Sequence, residues 1–527
     1  MVGTFYCLSS FLSLSFLSFS SLCLIGKQPS SSLVDLWSSY STYFIQYPRQ
    51  LSVLHLKHTG VREIISNTKS NNAIMDVGIL KFLVPKIPSL ANTTLWHTLG
   101  MTETSNQWDL RTALTVQVLR SLMAGGEKDP TPVGKVQAST LKDPGVKGKT
   151  WVANATIPAP KEDQEGIRQA VFTAIDQFSE SDSRIEYTKP SLVDTQIEWT
   201  GFRPNAEKNE TMPDISEAEK YSRLMAEPTR TSDTTILYLH GGAYYLCDPS
   251  THRATTSRLA KESKGVVCSV RYRLAPQAAF PSQLLDALLV YLSLLYPPPG
   301  SLHSAVPASK IVLAGDSAGG NLVFALLQFL LHFNRSQSTD STNSPPPTLN
   351  FDGSEVRVPL PAAATAAAGW FDISRALPSI TRNAKYDYLP PANHSPDALS
   401  RFPKDSVWPT TPPRGDLFCE LELLDHPLVS PLLAKSWEGS PPLYFNTGEE
   451  MLTDEIKVLA SRAAQQGVKV VFEEYQAMPH CFAMLLPGLP ISERCIKSWG
   501  AFARKTVDEG AEVFETKGTW VEARSGR

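Results

Sequence analysis

A serine held between glycines at the end of an apolar run is the feature of this sequence best suited to chemistry. Residues 310–322 read K-I-V-L-A-G-D-S-A-G-G-N-L, an apolar strand running into Gly315, Asp316, Ser317, Ala318 and Gly319 and then into an apolar helix. The sharp turn leaves no room for side chains beside the serine, and its strain lifts the Ser317 hydroxyl to where a substrate and a base can meet it. A hydroxyl so placed suits nucleophilic attack on an acyl carbon through a covalent acyl-serine intermediate. Upstream, residues 234–245 read T-T-I-L-Y-L-H-G-G-A-Y-Y, a strand ending in bare backbone. Gly241 and Gly242 are the expected donors to a developing oxyanion, and Ala318, just after the nucleophile, should supply another N–H.

The serine needs a base and the base needs an acid. Where a serine sits on a strand-to-helix turn of a parallel sheet, the chain order is serine, acid, histidine. Nine of the ten histidines precede Glu450, which leaves His480, in Y-Q-A-M-P-H-C-F after a strand, to close that order. The acid should lie in N-T-G-E-E-M-L-T-D-E, where Glu450 and Asp454 both qualify. Glu450 is nearer the strand end and is the first choice; Asp454 fits a helix-capping role equally well and is the alternative. Asp316, Asn321 and Asp286 are expected to serve the fold. His55 and His58 lack a third ligand or a His-Glu-x-x-His context, so no metal site is expected.

These residues must be held by alternating strands and helices. From residue 195 onward, strands are expected at 196–202, 234–239, 265–272, 310–314, 362–370, 442–447 and 468–475. Helices fit between them at 251–264, 281–296, 318–333 and 453–466, with a last one at 492–509. This is the pattern of a mostly parallel sheet with helices on both faces. Before it, residues 31–194 read as an N-terminal helical cap region, with a helix at 108–123, a Gly/Pro/Lys-rich linker at 127–149, a strand at 151–157 and a helix at 164–178. Two insertions interrupt the catalytic domain (195–527): a Ser/Thr/Asn/Pro run at 334–348, expected as a mobile surface loop, and a proline-dense stretch at 389–433, expected as a lid or binding loop.

Composition narrows the function classes. The 527 residues carry a formal net charge of -3 with 42% hydrophobic and 19% charged side chains, so a sizeable core can form and no basic footprint for nucleic acid exists. Seven scattered cysteines form no Cys-x-x-Cys pair, so neither a disulfide framework nor a zinc ribbon follows. Residues 1–30 form an apolar segment, uncharged from Phe5 to Gly26 yet rich in serine. It is read as an anchor or signal, with membrane contact at a compartment such as the endoplasmic reticulum and a cytoplasmic location as the alternative.

Taken together, H-G-G-A-Y-Y, R-Y-R-L-A-P (271–276) with F-P-S-Q-L-L-D (280–286), G-D-S-A-G-G-N-L and M-P-H-C-F resemble the hormone-sensitive lipase family of α/β-hydrolases. W-D-L-R-T-A-L-T-V-Q-V-L-R (108–120) and H-P-L-V-S-P-L (426–432) are similar to fungal members related to steryl acetyl hydrolases. The resemblance implies an α/β-hydrolase fold, esterase or lipase activity on small-molecule acyl esters, and no cofactor; the apolar cap and membrane contact through the N-terminal segment favour apolar substrates such as sterol or lipid esters. It further implies an oxyanion loop at 240–243, with His240 and Ala243 supporting its shape. The family's usual acid is an aspartate, and Glu450 departs from it. Competing readings are a catalytically silent α/β-hydrolase that binds a small molecule, and an acyl-transferase or amidase using the same triad.

Overall fold

In the computed structural model the alternating segments join into one open sheet. The structure describes residues 84–128, 131–161, 166–179, 185–335, 347–391, 399 and 402–523. Trp96–Arg527 fall in one compact unit and Tyr6–Leu95 in another, the latter described only from Val84, shortly before helix α1 (Ile87–Thr98). The apolar segment at 1–30 lies outside the described residues, among which no helix is long and apolar enough to cross a membrane.

The strands are β1 (Thr150–Ile157), β2 (Thr195–Phe202), β3 (Thr235–Leu239), β4 (Val266–Val270), β5 (Ile311–Asp316), β6 (Thr348–Phe351), β7 (Ser354–Arg357), β8 (Ala363–Ala367), β9 (Leu443–Gly448), β10 (Val470–Tyr475) and β11 (Lys517–Val521). Nine of them form the sheet in the order β1-β2-β4-β3-β5-β8-β9-β10-β11, and β6 and β7 form a separate hairpin. β1 and β4 run antiparallel to β2, and every pairing from β4 to β11 is parallel. All residues of β3, β4, β5, β8 and β9 are buried, the state of strands covered on both faces, which is why they read as continuous apolar runs.

Two apolar layers lie on either side. Leu237 and Leu239 of β3 join a core with helices α4 (Ile167–Phe178), α7 (Ser282–Leu295), α8 (Ala318–Arg335) and α10 (Thr453–Gln465). Ile236 and Tyr238, alternating with them, join the opposite core with α6 (Pro249–Ser263), α12 (Pro490–Glu509) and α2 (Leu110–Lys128). The remaining helices are α3 (Val133–Thr140), α5 (Glu217–Met225), α9 (Ser379–Arg382) and α11 (Phe482–Leu485).

The fold expected from the pattern is present, with instructive departures in the first third. The strand assigned to the cap region is β1, the edge of the main sheet, and α4 packs on that sheet, so residue 194 marks no boundary between separately packed bodies. The linker at 127–149 contains α3, whose buried Val133, Gln137 and Thr140 share one face at helical spacing. α5, the β6–β7 hairpin and β11 have no counterpart among the expected elements. The described residues within 389–433, expected as a lid or binding loop, hold short 3-10 turns and an isolated bridge between Arg414 and Glu420, and they bury Trp408, Phe418, Leu423, Leu428 and Val429.

Candidate active site

β5 delivers the serine. Its last residue is Asp316, and Ser317 adopts φ +50°, a left-handed conformation that costs a non-glycine residue energy and persists only where surroundings fix it. They do so here: Ser317 N–H donates to Ala367 O at 3.0 Å, and Ser317 O accepts from Trp370 N–H at 3.1 Å and Asn321 N–H at 3.0 Å. A Cβ on Gly319 would lie 2.0 Å from Leu239 O, so the turn can press against the end of β3 only with glycine there. Ser317 itself is partly exposed.

The turn after β10 carries His480, whose Nε2 stands 2.9 Å from Ser317 Oγ. Behind it, Glu450 Oε2 lies 3.5 Å from His480 Nδ1, an ion-pair distance rather than an aligned hydrogen bond. Glu450 is fully buried; Oε2 also accepts Leu452 N–H at 2.7 Å and Oε1 the Thr447 hydroxyl at 3.1 Å. Burial raises the pKa of Glu450, opposed by His480 and reinforced by Asp387. Burial works against the His480 imidazolium, yet Cys481 and Glu450 more than offset it and the pKa is raised. Because burial pushes the Cys481 thiol up to about 11, it is uncharged at neutral pH, and the Glu450 carboxylate is the charge that favours the imidazolium.

Of the two candidate acids the structure brings only Glu450 to His480. Asp454 accepts Ser379 N–H at 3.0 Å and Arg382 Nη2 at 2.5 Å, at the start of α10, the position of a residue serving the helix end.

The loop after β3 also departs from expectation. Gly241 N–H donates to Asp316 Oδ1 at 3.1 Å, so this amide is already used and cannot serve an oxyanion. Gly241 must be glycine for a different reason: a Cβ would sit 2.2 Å from Asp316 Oδ2. The next two residues, Gly242 (φ +113°) and Ala243 (φ +49°), turn the chain, and their amides have no acceptor among the described residues. Ala318 N–H belongs to the open first turn of α8.

The loop is anchored by aromatic groups. Tyr244 (φ +62°) is buried, donates its hydroxyl to Asn321 Oδ1 at 2.7 Å and stacks on Phe418 with ring centroids 3.6 Å apart. His240 Nδ1 lies 2.7 Å from Gly241 O, which can only accept, so that nitrogen carries the proton. The ring stacks on Tyr272 at 4.3 Å, and the Tyr272 hydroxyl donates to His240 O at 2.5 Å. Burial and neighbouring His252 pull the His240 pKa down to about 4, so it is neutral and fixed, in keeping with a supporting role.

Asn321 and Asp286 fit their expected structural roles. Asn321 Nδ2 donates to Trp370 O and Val429 O, and Asp286 pairs with Arg273. One residue at the site escapes a reading of the sequence, Asp387. Its buried carboxylate accepts backbone N–H from Tyr388 (2.7 Å) and His480 (3.3 Å) on Oδ1 and from Met451 (2.9 Å) on Oδ2. It thus ties the acid loop to the base loop, and Asn383 Nδ2 adds a bond to Glu450 O at 3.0 Å. Helix α2 covers this side: Arg120 Nε donates to Asp387 O at 2.7 Å, and Trp108, just before the helix, donates to Ala477 O at 2.5 Å. Its one signal is an aspartate amid apolar residues at the edge of a proline-rich stretch.

The sequence profile of the α/β hydrolase fold family matches residues 236–350 and 391–484, which contain the serine turn, the loop after β3, Glu450 and His480. An acetyl-hydrolase of Streptomyces hygroscopicus is 33% identical over 285 residues, 54% of this chain and 79% of that protein. The chain belongs to the α/β hydrolase fold family. Among other members of this α/β-hydrolase family, an esterase of Acinetobacter venetianus is 28% identical over 51% of this chain and 74% of its own. A crystal structure of an esterase from the bacterial hormone-sensitive lipase family aligns over 80% of this chain and 98% of its own, with 23% identity and a TM-score of 0.44.

Proposed function

We propose that this α/β-hydrolase cleaves apolar acyl esters through an acyl-Ser317 intermediate, with His480 as base and Glu450 as the acid behind it. The 2.9 Å contact between His480 Nε2 and Ser317 Oγ carries the reading. His480 takes the hydroxyl proton as Oγ attacks the ester carbonyl, and the carbonyl oxygen gains negative charge that the bare amides of Gly242, Ala243 and Ala318 receive. The imidazolium, stabilised by Glu450, returns its proton to the departing alkoxide. A water activated by His480 then frees the acid and regenerates Ser317. This is serine carboxylic-ester hydrolysis.

A preference for sterol or lipid esters is the finer element of the proposal. It is supported by the aromatic groups packed around the site, Tyr388 beside His480 and Tyr244 stacked on Phe418, and by a relative named neutral cholesterol ester hydrolase 1 from mouse, 36% identical over 104 residues, 24% of that protein. Membrane contact through residues 1–30 belongs with it. The test is hydrolysis of p-nitrophenyl esters of increasing acyl length, and of cholesteryl acetate, by wild type and Ser317→Ala. The variant should lose about 10⁴-fold or more in kcat. Equal activity in both would end the reading, and turnover restricted to polar acyl groups would end the substrate preference.

A further inference from the structure

Below the reacting groups lies a second buried histidine and carboxylate, His252 on the first turn of α6 and Asp316 beside the nucleophile. Asp316 Oδ1 accepts the Tyr238 hydroxyl at 2.6 Å and Gly241 N–H at 3.1 Å, and His252 Nε2 stands 3.4 Å from the same oxygen. The hydrogen bonds on the far side of the imidazole bear on its charge. Thr251 donates its single hydroxyl proton to Asp248 O at 2.6 Å, so at 2.9 Å from His252 Nδ1 it can only accept. Asp248 O, 3.4 Å from the same nitrogen, is likewise an acceptor. Both ring nitrogens therefore face acceptors, the arrangement that suits an imidazolium paired with a carboxylate.

We infer that His252 is a positioning residue for this reaction: it holds Asp316 ionised, and Asp316 pins Gly241 so that the Gly242 and Ala243 amides stay aimed at the acyl oxygen. The inference rests on the reading of the loop after β3 as the oxyanion loop. One carboxylate thereby fixes two elements of the machinery, since Asp316 precedes the nucleophile in sequence and holds the donor loop in space. The groups facing His252 are Asp316 on β5, Tyr238 on β3, His240 just beyond β3, and Asp248 at the head of its own helix. Of these, His240 is neutral, and Asp248 is bound to Arg271, which leaves Asp316 as the carboxylate that His252 serves. The titration directions agree. Burial alone would lower the His252 pKa, but Asp316 raises it above the ordinary value; burial alone would raise Asp316, but His252 and its hydrogen bonds lower it.

The sign of the pH effect follows. Below the raised pKa of His252 the pair is intact; as pH climbs through it, Asp316 loses its counter-charge and kcat falls, giving an alkaline limb unrelated to His480, which must be unprotonated to act as base. The test compares His252→Gln, Asp316→Asn and the double variant of the full chain with wild type, using p-nitrophenyl acetate across pH 6–10. His252→Gln should lose about 10- to 100-fold in kcat with little change in KM, short of the 10²–10³-fold cost of losing a donor outright. It should also lack the alkaline limb. The double variant should recover some of that loss, because the amide oxygen introduced by Asp316→Asn can still accept Gly241 N–H while no charge is stranded. Wild-type kcat in His252→Gln, a double variant no better than it, or a wild type without an alkaline limb would overturn the inference. Should His252→Gln fail to fold, the double variant decides: turnover without the limb supports the inference, and turnover with the limb overturns it. An active Ser317→Ala would instead overturn the ester-hydrolase reading beneath it.

Discussion

Replacing Glu450 by glutamine isolates what its charge does. Glutamine can keep the local bonding: its oxygen can accept Leu452 N–H, and its amide can donate to the Thr447 hydroxyl, which itself donates to Gly448 O. The oxygen facing His480 Nδ1 is retained, so ring orientation should survive and the charge alone is lost. At the observed 3.5 Å, an effective dielectric of about 20 gives roughly 5 kcal/mol between a carboxylate and an imidazolium. Because that stabilisation exists only once His480 has taken the serine proton, kcat should fall by up to ~10³ to 10⁴, with KM largely unchanged. Glu450 favours the charged imidazole, so its removal should also move the acid limb of kcat/KM to lower pH. Steady-state p-nitrophenyl acetate hydrolysis over pH 5–9, with unfolding midpoints to confirm equal folding, measures both. More than a tenth of wild-type kcat, an unmoved acid limb, or a larger loss in Asp454→Asn would refute the reasoning.

Asp387→Ala should damage stability and activity together. It strands the buried N–H groups of Tyr388 and Met451, each costing about 1–3 kcal/mol, and loosens the tie between the acid and base loops; urea unfolding and kcat are the measurements. A second expectation concerns acid. His426 accepts Leu428 N–H on Nδ1 and faces Ile175 O with Nε2, a neutral ring fully bonded, and burial pulls its pKa down to about 4. Between the unfolded value near 6.5 and about 4 the unfolded chain binds the extra proton, so stability should be lost as pH falls through that window, by at most about 1.4 kcal/mol per pH unit from this group. Urea unfolding at pH 4.5 and 7 should show a smaller difference in His426→Asn than in wild type; an equal difference would exclude His426 as a source.

Most of the sheet was legible because fully covered strands announce themselves as apolar runs between helices of the right length. Ser317 was legible from its turn and His480 from the chain order of such a site, whereas Glu450 and Asp454 both satisfied that order and could be ranked only by nearness to the strand end. What escaped notice depended on partners distant in sequence. The glycines after His240 look interchangeable on paper, yet the Asp316 carboxylate, 75 residues on, takes the amide of the first and leaves the second free. Asp387 carries only a faint pattern, an aspartate amid apolar residues; its meaning comes from the backbone amides of Met451 and His480, which meet it only in the fold. Helix α3 was hidden by Gly, Pro and Lys, with Pro132 standing at the helix start and only Val133, Gln137 and Thr140 buried. β11, five residues long and mostly exposed, is too short and too polar for a periodicity argument.

The left-handed stretch after β3 uses alanine, tyrosine and cysteine where glycine would bend freely. Its curvature is therefore imposed from outside, by Asn321 on a helix and Phe418 in the proline-dense stretch, each holding Tyr244. A lineage could retune which esters such a catalyst favours by drift at those remote anchors, leaving every reacting atom untouched.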